Sequence, residues 1–175
     1  MKKTIIMLIA ATVSLPFTLL AQQGKVGVDE LLASPESYLG KNITVEGYCS
    51  HTCPHGSSKM FVRGEGRPLR VETGALGKLE KPVAKHNVSI EGVLKEQRID
   101  EAYLSNWEKR LSAKKESCDS RENLCAADRK AHGGESTAEK TIAAYRKKIE
   151  ERKAAEGKDY VSIYYFEASN CEVKE

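Results

Sequence analysis

Metal-capable side chains crowd into one short stretch of this chain. Cys49, His51, Cys53 and His55 alternate within Tyr48-Cys-Ser-His-Thr-Cys-Pro-His-Gly56. Thiolate and imidazole are the soft and borderline donors that zinc and copper(I) prefer. The whole chain holds four His and five Cys, so two of each inside seven residues mark this segment as the place to look for chemistry.

Geometry limits what the segment does. Residues two apart in a straight strand sit roughly 6.5–7 Å apart, so Cys49 and His55 would be ~20 Å from each other. One tetrahedral ion with bonds near ~2.0–2.3 Å does not reach both. A four-ligand site therefore requires the chain to curl, and Pro54 and Gly56 supply a turn after Cys53. A distant donor completes such a set in one version: Cys171, His86, or Met60 for copper(I). The competing reading is structural. Cys49 has the alternation parity of Ile43 and Val45 and reads equally well as a buried core thiol. Cys53 then pairs with Cys171 or Cys49 in a disulfide. The spacing is not that of a zinc finger, because no second Cys-x-x-Cys or His-x-x-x-His is present. Gly-x-Ser-x-Gly, the phosphate-loop pattern and His-Glu-x-x-His are also missing, so the sequence favours a binding protein over an enzyme. A thiol enzyme is the third-ranked reading and requires a cysteine of depressed pKa.

These residues have to be positioned by a small exported scaffold. Lys2 and Lys3 precede an uncharged, mostly apolar run from Thr4 to Leu20, interrupted by Pro16 and followed by small residues around Ala21. That is the pattern of a signal peptide over residues 1–21, and it predicts a periplasmic or secreted protein with no membrane span after cleavage. The remaining 22–175 is one domain by length. Losing the two lysines lowers the formal charge from +3 to +1, which argues against a dedicated nucleic-acid binder. Export favours disulfides, and an odd number of cysteines leaves at least one thiol free, metal-bound or paired with another molecule.

The elements follow from periodicity. Val28 to Ser34 is a short helix ended by Pro35. Asn42 to Cys49 alternates as a half-buried strand, followed by strands at Lys59 to Arg63, Pro68 to Glu72, Asn87 to Leu94, and Tyr160 to Phe166 with an extension toward Val173. Gly47 and Gly92 fall within strands, where glycine marks the corner of a barrel. Between the fourth and fifth strands, at about 99–157, lies a helical insertion. Its first helix is capped by Asp100 and carries Leu104, Trp107 and Leu111. Its second opens on the capping box Ser136-Thr-Ala-Glu139, carries Ile142, Tyr145 and Ile149, and ends at Gly157. The narrow stripes predict an antiparallel helical hairpin. At its tip Cys118 and Cys125 are spaced for a loop-closing disulfide worth ~2–3 kcal/mol.

The predicted class is mainly β with an α insertion: a five-stranded Greek-key barrel plus the hairpin between strands four and five. The segment Leu32-Ala-Ser-Pro-Glu-Ser-Tyr-Leu-Gly-Lys-Asn-Ile-Thr-Val-Glu-Gly47 resembles the start of secreted bacterial OB-fold domains, similar to the anticodon-binding domains of tRNA synthetases. The Val88 to Leu94 segment resembles the fourth strand of that fold. The resemblance implies ligand binding on the face of the second and third strands. By parity Lys59, Phe61, Arg63 and Arg70 point outward there, an aromatic among cations suited to an anionic ligand or a protein partner. The sequence thus offers two functions. One is a non-enzymatic binding module with a zinc or copper site at Cys49, His51, Cys53 and His55. The other is an interaction protein that uses the strand face or the helical arm and keeps its cysteines structural.

Overall fold

Strand Asn42–Thr52 (β2) carries the construction, because it forms ladders on both edges. The structure, a computed structural model, describes residues 24–53, 58–77, 83–113, 129 and 137–174. On one edge β2 pairs antiparallel with Asn87–Ile99 (β5), through residues Asn42 to Tyr48. On the other it pairs first in parallel with the short strand Lys25–Gly27 (β1), then antiparallel with Lys59–Arg63 (β3). Leu69–Glu72 (β4) continues from β3, and Val161–Lys174 (β6) joins β4 in parallel and β5 antiparallel. The ladder β2-β3-β4-β6-β5 returns to β2 and closes a five-stranded barrel, compatible with an OB-like fold. β2 and β5 run further than the alternation alone predicts, β3 has the expected bounds, β4 starts one residue later, β6 reaches Lys174, and β1 is an addition that the sequence pattern does not reveal.

Two glycines permit the closure. A Cβ on Gly47 would come within 2.8 Å of Val62 and 2.9 Å of Val28, where β2 changes neighbour from β1 to β3. A Cβ on Gly92 would collide with the Glu167 carbonyl oxygen and lie 2.9 Å from Phe166. Gly92 also sits at a register shift between β5 and β6, so the expected corner is a bulge. Inside the barrel pack Val45, Cys49, Met60, Val62, Leu69, Val71, Ile90, Leu94 and Phe166, with Val28 and Leu31 of helix Val28–Ala33 (α1) closing one end. Asp29 of α1 also accepts the backbone N–H groups of Glu65 and Gly66 at 2.7 and 3.0 Å, which holds the β3–β4 turn against the helix.

Helices Glu101–Ser112 (α2) and Ala138–Glu156 (α3) lie between β5 and β6 in sequence and form a second core. Leu104 and Trp107 of α2 meet Ile142, Tyr145 and Ile149 of α3 over Ile99 and Ile163, which extend from the barrel strands. Asp100 caps α2 as its sequence predicts, accepting the Tyr103 N–H at 2.8 Å. The cap of α3 is Thr137, one residue later than the start of the capping box: its hydroxyl accepts the Lys140 N–H. Gly157 ends α3 in the left-handed conformation. Arg146 of α3 bridges Glu101 and Glu108 of α2, each at 2.7 Å. The hydrogen bonds to Arg146 are the main cause that lowers both carboxyl pKa values. Among the described residues no helix is long and apolar enough to cross a membrane. The leader at 1–21, His55, and the Cys118 and Cys125 pair lie outside the described residues.

Two outcomes follow. Gly92→Ala should lower unfolding free energy by ~1–3 kcal/mol through overpacking, read from denaturant midpoints. Acid sensitivity should fall in Arg146→Gln. A carboxylate whose folded pKa lies below its unfolded value contributes stability above the unfolded pKa, near ~4.3, and loses it as pH falls through the folded pKa. Melting temperatures of the wild type and Arg146→Gln should therefore differ at neutral pH and converge below the normal carboxylate range.

Candidate functional site

The Cys/His segment is divided by one extra residue. Cys49 stands opposite Val62, and His51 stands opposite Phe61, so Ser50 has no cross-strand counterpart. This is a β-bulge, in which two residues oppose one and the alternation of faces is reset. Ser50 fixes the bulge by donating its hydroxyl to the Phe61 carbonyl at 3.0 Å. Before the bulge, Cys49 faces the barrel interior with Val45 and Val62. After it, His51 lies on the outer surface and stacks on Phe61, with ring centroids 4.5 Å apart and planes 10° from parallel.

Cys53 follows on the His51 side. Thr52 is opposite the interior residue Met60, and the Cys53 N–H donates to the Lys59 carbonyl at 2.8 Å. Cys53 is buried, yet it belongs to neither apolar core. The structure therefore puts His51 and Cys53 on one face and sets Cys49 on the other, inside the barrel. Simple alternation, which puts all three on one face, fails at Ser50.

The thiols differ accordingly. Cys49, Cys53 and Cys171 are free, so the expected bridges of Cys53 to Cys171 or Cys49 are not formed. Burial pushes the Cys49 thiol up to about 11, with the nearby Cys171 thiol adding to the shift. Burial also raises Cys171, assisted by the charge of Glu172. Neither is the depressed thiol that a nucleophile requires. His86, one of the three distant donors considered, lies exposed with its Nδ1 3.0 Å from the Ala84 carbonyl oxygen. Among the described residues no three His, Cys, Asp or Glu side chains gather into a metal-holding group.

The second predicted constellation needs correction. Lys59, Phe61 and Arg70 do face away from the barrel interior, but they are buried, and only Arg63 of the four is exposed. The cause is a row of side chains running across the strands. His51 covers Phe61, Phe61 is opposite Arg70, and Arg70 is opposite Tyr165 with its guanidinium 4.7 Å from the ring centre. Arg70 also donates to Gln97 at 3.0 Å and lies 3.7 Å from Glu72, which in turn faces Lys59 across the ladder. Ring stacking and cation–π contact thus link β2, β3, β4 and β6 on the outside. Nothing in the local sequence marks Tyr165 and Gln97 as members of this row, since their partners come from strands far away in the chain. The exposed remainder of this face is Arg63, whose guanidinium lies 6.0 Å from the ring of Tyr48, its direct cross-strand partner.

Native protein at neutral pH should leave Cys49 unmodified by an alkylating reagent, and denaturant should make it react; peptide mass mapping reads both. No family model matches the chain, and no curated protein matches it.

Proposed function

We propose that this is an exported, non-enzymatic binding module built on an OB-like Greek-key barrel with an antiparallel helical hairpin, and that it holds a zinc or copper ion through His51, Cys53 and His55. The bulge at Ser50 carries the reading, because it turns His51 to the outer face, and Cys53, whose N–H bonds to the Lys59 carbonyl, follows on that side by alternation. Same-face residues two apart on a strand are roughly 7 Å apart at the backbone, within reach of one ion whose bonds are ~2.0–2.3 Å. Ser50 Oγ lies 3.2 Å from His51 Nδ1, which orients the ring and leaves Nε2 as the donor atom. His55, two residues beyond Cys53 in sequence and outside the described residues, is the proposed third donor. Cys49 is excluded by its place in the core.

Metal analysis of reduced protein, purified without a metal-affinity tag and reconstituted with zinc or copper(I), tests this. One ion per chain is expected in the wild type and in Cys49→Ala. Cys53→Ser and His51→Ala should each lose affinity by at least about tenfold. Equal metal content in Cys53→Ser and wild type would exclude the site, and so would loss confined to Cys49→Ala.

The second reading is an interaction protein that binds an anionic ligand or a protein partner on the outer face. The exposed Tyr48–Arg63 pair favours it, being an aromatic and a cation side by side in solvent. In that reading all cysteines are structural.

A further inference from the structure

A cleft opens where the barrel meets α3, away from the Cys/His segment. Its volume is about 410 Å³, within the range of small-molecule sites. It lies between the far ends of β5 and β6, the C-terminal turn of α3 and the 3-10 turn Pro35–Ser37. Three cations line it: Arg98, Arg152 and Lys158.

The arrangement is held in place by Tyr160. The Arg98 guanidinium lies 4.4 Å from its ring centre and that of Arg152 lies 5.7 Å away, so one ring supports both. Arg152 is committed elsewhere: it donates to the Tyr160 carbonyl at 3.0 Å and to Glu156 at 2.9 Å. Lys158 also pairs with Glu156, at 3.3 Å. Arg98 is different. Its Nε donates to Glu96 at 3.2 Å, and its two terminal nitrogens make no hydrogen bond among the described residues. The side chain is therefore anchored at one edge and presents the other.

The acidic groups of the cleft are occupied. Glu96 accepts from the Ser162 hydroxyl at 2.6 Å as well as from Arg98. Glu36 accepts from the Tyr164 hydroxyl at 2.7 Å. Burial, then this bond, pushes Tyr164 up to about 12, so the phenol stays neutral and remains the donor. Leu39, Val161 and Tyr164 add apolar surface to the lining.

We infer that this cleft binds a small ligand that joins an oxyanion to an apolar or aromatic body. The oxyanion, a carboxylate or a phosphate, takes the open edge of the Arg98 guanidinium, whose planar pair of N–H groups matches two oxygens. The body lies along Leu39 and Val161. This site does not depend on the metal reading, and its lining shares no residue with it.

Amide chemical shifts of the full exported chain, titrated separately with phenyl phosphate, phenylacetate and inorganic phosphate, test it. Saturable shifts around Arg98 and Tyr160 are expected from at least one aromatic probe, with Kd at or below about 1 mM. Which aromatic probe binds identifies the oxyanion. Arg98→Gln, an exposed substitution, should weaken that probe by at least about tenfold, and the outer-face control Arg63→Gln should bind as wild type does. Tyr160→Leu should weaken binding too, because the guanidinium loses its support. The inference is overturned if neither aromatic probe saturates, if inorganic phosphate binds as tightly as phenyl phosphate, or if Arg98→Gln leaves affinity unchanged.

Discussion

Closure of the barrel is the constraint on which everything else depends. A small sheet that returns to its first strand must bend sharply somewhere, and each bend brings backbone against side chain. Gly47 and Gly92 accept that contact because they carry no Cβ. Once β2 is tied to β5 on one edge and to β3 on the other, its inner face is committed to the apolar core. Any chemistry on β2 then has to leave that face, and the bulge at Ser50 is the device that does so. One residue without a partner converts a uniformly facing row into a core thiol and an outward pair.

The outer face is an unusual use of charged and aromatic side chains. Arg70 is almost fully buried outside the apolar core, and its position is fixed by Tyr165, Gln97 and Glu72 rather than by solvent. A buried guanidinium is costly unless its N–H groups and charge are answered. The row from His51 to Tyr165 therefore acts as a rigid strap, and it gives the His51 ring a flat seat on Phe61. Orientation of the His51 imidazole is set from two sides, by that seat and by Ser50.

Much of this was legible in the sequence, and the gaps have physical causes. Strands, the short helix and the two longer helices follow from alternation and from periodic apolar residues, because burial selects residue type at each position. The glycine corners were readable because mid-strand glycine has few other uses. β1 was not, since three residues carry no period. The facing of His51 was not readable, because a bulge has no fixed residue signature and a single insertion inverts every side chain after it. Burial of Lys59 and Arg70 escaped for another reason. Alternation tells which side of a sheet a residue occupies, and whether that side is wet depends on partners such as Tyr165 and Glu72 from distant strands. The cleft beside Tyr160 was invisible for the same reason, being assembled from strand ends, a helix end and the turn before β2.

The β5–β6 ladder passes through both apolar cores. Its thirteen registered pairs run from Asn87 opposite Lys174, on the barrel wall, to Ile99 opposite Val161, beside the helices. Because these two strands are shared, the helical layer, among the described residues, has no sheet of its own and packs on the ribbon that also builds the barrel. Any tilt of α2 and α3 has to be taken up as twist in this ribbon, so a molecule bound at its far end and the geometry of the barrel wall are mechanically the same variable.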